Sequence, residues 1–155
     1  MSVRRIVSGG QTGVDRGALE AALELGIEHG GWCPRGRRAE DERIPDQYRV
    51  QENESPDYSA RTLRNVRESD ATLIVATGKL SGGTRLTREL ARRCEKPCLV
   101  VRIDGMLSLE HVRGWLADQR VEVLNVAGPR ESQSPGIQAR TKDFIVRLLG
   151  TGSDP

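Results

Sequence analysis

Two glycine-rich segments could bind an anion through the backbone alone. The first is Ser8-Gly9-Gly10-Gln11-Thr12-Gly13, after the apolar run Ile6-Val7; the second is Ser81-Gly82-Gly83-Thr84, shortly after Leu73-Ile74-Val75-Ala76. Glycine permits a sharp turn, and its missing Cβ lets a ligand lie against the peptide N–H groups. A helix starting at such a turn adds unpaired N–H donors and the positive end of its dipole. Together the two segments point to a phosphorylated small molecule.

Neither segment is a familiar nucleotide fingerprint. The first lacks the Gly-Lys-Ser/Thr of an ATPase loop and the strict Gly-x-Gly-x-x-Gly order. Where a dinucleotide fold places a ribose-binding acid, this chain has Pro34-Arg35-Gly36-Arg37-Arg38. Arg35 and Arg38 suit a further phosphate or a carboxylate; a plain solvated loop is the alternative. Local roles compete elsewhere too. Thr12 can cap a helix while Asp15 bonds back to the cap, as in a capping box, or Asp15 can hold an arginine or a ligand hydroxyl. For Thr84 too, capping its helix is the plain structural alternative to holding a ligand.

These segments need a scaffold, and its class follows from the order of apolar runs. Strands are expected at Arg4–Val7, His29–Cys33, Arg49–Glu52, Ala71–Ala76, Cys98–Ile103 and Val121–Val126. Helices are expected at 14–25 (stopped by Gly26), 57–67, 84–94, 107–118 and 138–149. Residues 35–47 read as a long polar loop, a length that is often functional. Alternating strands and helices predict one α/β domain over residues 1–149, a three-layer α/β/α Rossmann-like unit with a mostly parallel sheet, and a frayed tail at 150–155. Ligands of such sheets bind beyond the carboxyl ends of the strands, where strand order reverses. In the common 3-2-1-4 order the first strand and Ala71–Ala76 are neighbours, so both glycine segments open into one crevice.

Composition narrows the function. The 155 residues form one domain large enough for a core without cross-links. A net charge of +2 with both signs interspersed, and only 3% aromatic residues, offers neither a basic face nor stacking platforms for nucleic acid. No apolar stretch approaches the ~20 residues of a membrane span, and no signal region precedes the first strand, so a soluble cytoplasmic protein is expected. Cys33, Cys94 and Cys98 have no metal-site spacing with His29 or His111 and read as small reduced thiols; no metal site is expected.

Taken in order, several blocks resemble the family named "putative molybdenum carrier". They are Ser8–Asp15, Gly31-Trp32-Cys33-Pro34, Gly36–Asp41, Arg61-Thr62 with Asn65-Val66-Arg67, Ser69–Thr72, Gly82-Gly83-Thr84 and Leu124–Ser132. The resemblance spans Arg4 to about Leu149. That family is similar to the molybdenum-cofactor carriers of algae and lies within a wider Rossmann-like superfamily. The superfamily includes binders of nucleotide derivatives and cytokinin-activating phosphoribohydrolases.

The resemblance implies a non-catalytic carrier of a phosphate-bearing ligand, the molybdenum cofactor (molybdopterin) being the candidate, in a homo-oligomer such as a dimer or tetramer. Gly9, Gly10, Gln11, Thr12, Gly13, Gly82, Gly83 and Thr84 would hold the anion, with Arg35, Arg38 or Arg61 supplying charge. The phosphoribohydrolase branch implies the alternative, hydrolysis of nucleoside monophosphates. There Arg61 would position the phosphate-ribose side and Glu89 would support the ribose as the glycosidic bond breaks. Ser81 in place of proline, and Arg85-Leu86 in place of Gly-Thr, depart from that branch's pattern.

Overall fold

The computed structural model describes residues 2–150. In chain order the elements are β1 (Arg5–Val7), α1 (Val14–Leu25), β2 (Glu28–Gly30), β3 (Trp32–Cys33), a 3₁₀ turn (Arg35–Arg37), β4 (Arg38–Ala39), β5 (Glu42–Arg43) and β6 (Gln51–Glu52). There follow α2 (Tyr58–Arg67), β7 (Ala71–Ala76), α3 (Gly82–Arg93), β8 (Cys98–Arg102), α4 (Leu109–Asp118), β9 (Val123–Ala127) and α5 (Ile137–Leu149). The tail beyond Gly150 lies outside the described residues.

The central sheet is parallel throughout, in the order β2-β1-β9-β7-β8. It is covered on both faces, as expected of a three-layer α/β/α unit. One face packs α1, α4 and α5 through Ile6, Leu73, Val75, Leu124 and Val126, with Ala18, Ala22, Leu116, Phe144 and Ile145 opposite. These residues recur at helical and strand periods, which is why the elements form where they do. The apolar cluster on the opposite face is small, built on Ile74, Ala76 and Leu80. Beside it the buried layer is polar, with Thr62, Asn65, Thr72, Thr87 and Asn125 all under 9% exposed.

The order of strands corrects one expectation. β1 and β7 are not neighbours; β9, the last strand in the chain, lies between them. Its central position requires the buried Asn125 to be satisfied, and Asn125 Nδ2 donates to Thr72 Oγ1 across the β9–β7 pair at 3.2 Å. A polar residue inside a central strand is thereby matched by one at the same level of its neighbour.

The expected second strand is broken in two. Gly31 has φ +126° and lies against the Ser8 backbone, so β2 stays in the main sheet while β3 leaves it to pair with β6. Asn65 holds the departing strand, accepting from Trp32 N–H at 2.7 Å and donating to Trp32 C=O at 2.9 Å. The 35–47 segment is ordered rather than a bare loop. Its β4–β5 hairpin covers a small core of Leu19, Cys33, Ile44, Tyr48 and Val50. Arg37 stitches it from within, donating to the carbonyls of Ile44, Pro45, Tyr48 and Val50.

Candidate functional site

The carboxyl ends of β1 and β9 open into a cleft of about 250 Å³ between α2 and the first turn of α3. Gln11 follows β1; Ala127, Gly128, Arg130 and Gln133 follow β9; Gly83, Thr84, Leu86 and Thr87 come from α3; and Tyr58 and Arg61 come from α2. The α2 residues are placed by Asp57, whose carboxylate accepts from Ser59 N–H and caps the helix.

The first turn of α3 supplies free donors. The Ser81 side chain makes no capping bond, and among the described residues no protein acceptor meets the N–H groups of Gly82, Gly83 or Thr84. A Cβ built on Gly82 or Gly83 would meet nothing within 4 Å. The approach to these donors is open.

The first glycine segment behaves differently from what its composition suggests. Gly10 N–H donates to Ser8 Oγ, Gln11 N–H to Asp15 Oδ2 and Gly13 N–H to Gln138 Oε1, so these donors are already used. Its glycines admit neighbouring protein instead of a ligand. A Cβ on Gly9 would strike Arg61, one on Gly10 would strike Ile44, and one on Gly13 would lie 2.4 Å from the Pro129 carbonyl oxygen. The cap of α1 is Gly13, without a side-chain bond. Thr12 is therefore not the capping residue; its hydroxyl donates to Glu40 and accepts from Glu131 N–H. What this segment presents to the cleft is the Gln11 side chain. Gln11 Nε2 donates to the Arg38 carbonyl at 2.7 Å, whereas its Oε1 is buried without a partner.

Two guanidinium groups and one carboxylate set the charge. Arg61 is 14% exposed, and its Nη1 lies 3.7 Å from Asp15 Oδ2 while its Nε has no partner. Arg61 and Arg130 both face the Tyr58 ring, at 5.7 and 4.8 Å from its centroid. Burial raises the Asp15 carboxyl above its ordinary range, against the pull of Arg61 and the Gln11 N–H bond, and more weakly of Arg130 and Arg16. With Asp15 ionised the cluster keeps a net positive charge, and with Asp15 protonated the excess is larger. Either state favours an anion.

Of the residues singled out from sequence, Gln11, Arg61, Gly83 and Thr84 line this cleft, and Gly9 lies at its floor beside Asp15 and Arg61. Gly82 opens the adjoining turn, while Gly10, Thr12 and Gly13 support it from behind. Arg35 and Arg38 are exposed on the 3₁₀ turn and β4 and do not line the cleft. Glu89 pairs with Arg92 on α3 and is likewise absent from the lining. Sequence reasoning missed Tyr58, Arg130 and Gln133 as site residues. The available signal was Gly128-Pro129-Arg130, a third glycine-containing turn after a parallel strand. Among the described residues no group of three or more His, Cys, Asp or Glu side chains is arranged to hold a metal ion, and no helix is long and apolar enough to cross a membrane.

Comparison with known proteins bears on the whole chain. The model of the Circularly permutated YpsA SLOG family matches residues 6–149. A crystal structure from Syntrophus aciditrophicus SB, of a protein named "putative molybdenum carrier protein", is 43% identical, with a TM-score of 0.90 and 96% of each chain covered. No curated protein matches the sequence.

Proposed function

The chain belongs to the Circularly permutated YpsA SLOG family, and from that premise we propose that it binds and carries a phosphate-bearing small molecule in the cleft at the α3 N-terminus. One observation carries the reading: the open, unpartnered N–H groups of Gly83 and Thr84 share a cleft with Arg61 and Arg130. Backbone donors at a helix start, reinforced by two guanidinium groups, form an anion site that needs no chemistry of its own.

The finer reading is that the cargo is the molybdenum cofactor, a pterin phosphate. The name of the similar Syntrophus protein supports it. So does the site: the α3 donors suit the phosphate, and the unpartnered Gln11 Oε1 would accept from a ring N–H. Such a cargo would be held by its phosphate and pterin rather than through its metal. The same reading takes the working form to be a cytoplasmic homo-oligomer, which light scattering on the purified protein tests.

Hydrolysis of nucleoside monophosphates is the second reading, favoured by the placement of Arg61 in the cleft. Its other required residue, Glu89, points to a different partner. A thermal-shift series distinguishes the two. A ligand at about 100 times its Kd adds roughly 2.7 kcal/mol to the stability of the folded state, several degrees for a domain of this size. The pterin phosphate is expected to raise Tm more than AMP, ADP or GMP at equal concentration. Strong stabilisation by nucleotides with none by the pterin overturns the carrier reading.

A further inference from the structure

The cleft does not end at α3. A second recess of about 180 Å³ lies on the far side of Thr84 and Gln133, which line both spaces. Thr77, Lys79, Ser81 and Ser134 line this second recess and none of them lines the first. The anion-binding turn of α3 therefore lies between two lobes rather than at the end of one.

The lobes differ in chemistry. The α2-side lobe offers the Tyr58 ring, Leu86 and the buried, 2% exposed Gln11 with its unpartnered Oε1, a combination that suits a flat ring carrying a hydrogen-bond donor. The second lobe offers hydroxyls and an exposed ammonium group, which suit a polar, hydroxylated or charged moiety. A phosphate held at Gly83 and Thr84 has room to continue on both sides.

Resting on the anion site proposed above, we infer that the ligand's phosphate is an internal link, a phosphodiester or diphosphate joining a ring-bearing half to a polar half. A terminal phosphate would leave the second lobe unused. The class of ligand is thus a two-part molecule joined through phosphate, and a pterin cargo would be bound as such a phosphate-linked conjugate rather than with its phosphate at one end.

Amide chemical shifts and titrations with AMP, ADP-ribose and inorganic phosphate test this. Two variants alter the second lobe alone. Lys79→Trp fills it and Lys79→Glu reverses its charge, both at an exposed residue outside the anion-binding turn. ADP-ribose is expected to bind at least ~10-fold more tightly than AMP, because linked halves gain from effective concentration. Each variant is expected to bring ADP-ribose down to the AMP level while AMP affinity is unchanged. Equal affinity for the two probes, or ADP-ribose binding indifferent to both variants, overturns the two-part ligand. The anion site then stands if phosphate still shifts the Gly83 and Thr84 amides. If none of the three probes moves those amides, the anion site and this inference fall together.

Discussion

Arg61 lies directly over Gly9: a Cβ at position 9 would come within 1.8 Å of Arg61 Nη1. The first glycine segment and the α2 arginine, 52 positions apart in the chain, are thus a single device. The glycine makes the space, and the guanidinium that fills it lines the cleft. Gly9→Ala faces the end of a flexible side chain rather than backbone, and Gly9 has no positive φ. The expected cost in stability is about 1 kcal/mol. Affinity for inorganic phosphate should fall about as far as in Arg61→Ala, and the double variant should be no worse than either. Additive losses in that cycle would show that the two residues act separately.

Gly83 and Gly13 should respond in opposite ways. A Cβ at position 83 meets no protein atom within 4 Å, and valine is no worse than glycine in a helix, so in Gly83→Val the unfolding free energy should stay within about 1 kcal/mol of the parent. The added methyls occupy the anion's approach, and phosphate affinity should drop at least ~10-fold, the equivalent of one charge-assisted hydrogen bond. Gly13→Ala combines φ +86° with a Cβ 2.4 Å from the Pro129 carbonyl oxygen and should lose at least about 2 kcal/mol. Denaturant melts and calorimetric titration separate the two effects. Unchanged phosphate affinity in Gly83→Val would remove the α3 turn from the site.

Charge in the cleft should be assigned to Arg130 and not to the basic turn. Arg38 contributes only its backbone carbonyl, to Gln11, so Arg38→Ala should change phosphate affinity by no more than about 2-fold. Arg130→Ala removes a half-buried guanidinium beside Tyr58 and should weaken binding about 10-fold. The reverse ranking would move the anion towards the 35–38 segment.

Under the carrier reading, incubation with AMP and related monophosphates should release no free base above background. Glu89→Ala, which breaks only an exposed pair with Arg92, should leave ligand binding unaltered. Base release that disappears in both Arg61→Ala and Glu89→Ala would establish the hydrolase.

Asp15 should give stability a pH dependence of unusual sign. Its carboxyl is raised above the ordinary 3.8 by burial. Between that value and the folded-state value the native chain holds a proton that the unfolded chain has released. Stability contributed at this site is therefore lost as pH rises through that window. Asp15→Asn cannot titrate, so its stability relative to the parent should grow from about pH 4 upward and then level off. A difference that stays flat, or shrinks, with rising pH would contradict the raised value.

Much of this was legible in the chain. Apolar periodicity located helices α1 to α5 within two residues of their starts, and the buried run Ala71–Ala76 marked a central parallel strand, because burial patterns are local properties of sequence. Glycine followed by a helix start marked the α3 turn for the same reason. The sequence did not reveal strand order, since β9 reads locally as an alternating strand and its place between β1 and β7 rests on backbone ladders to strands distant in the chain, to which Asn125 and Thr72, 53 residues apart, add one side-chain bond. Nor could composition distinguish a glycine that admits a ligand from one that admits a neighbour. Gly83 faces open space and Gly9 faces Arg61, a difference that exists only once α2 has packed across β1 and β9. Tertiary packing likewise decided which arginines matter. It turned Arg37 inward to backbone carbonyls, left Arg35 and Arg38 exposed, and brought Arg61 and Arg130 together around one tyrosine.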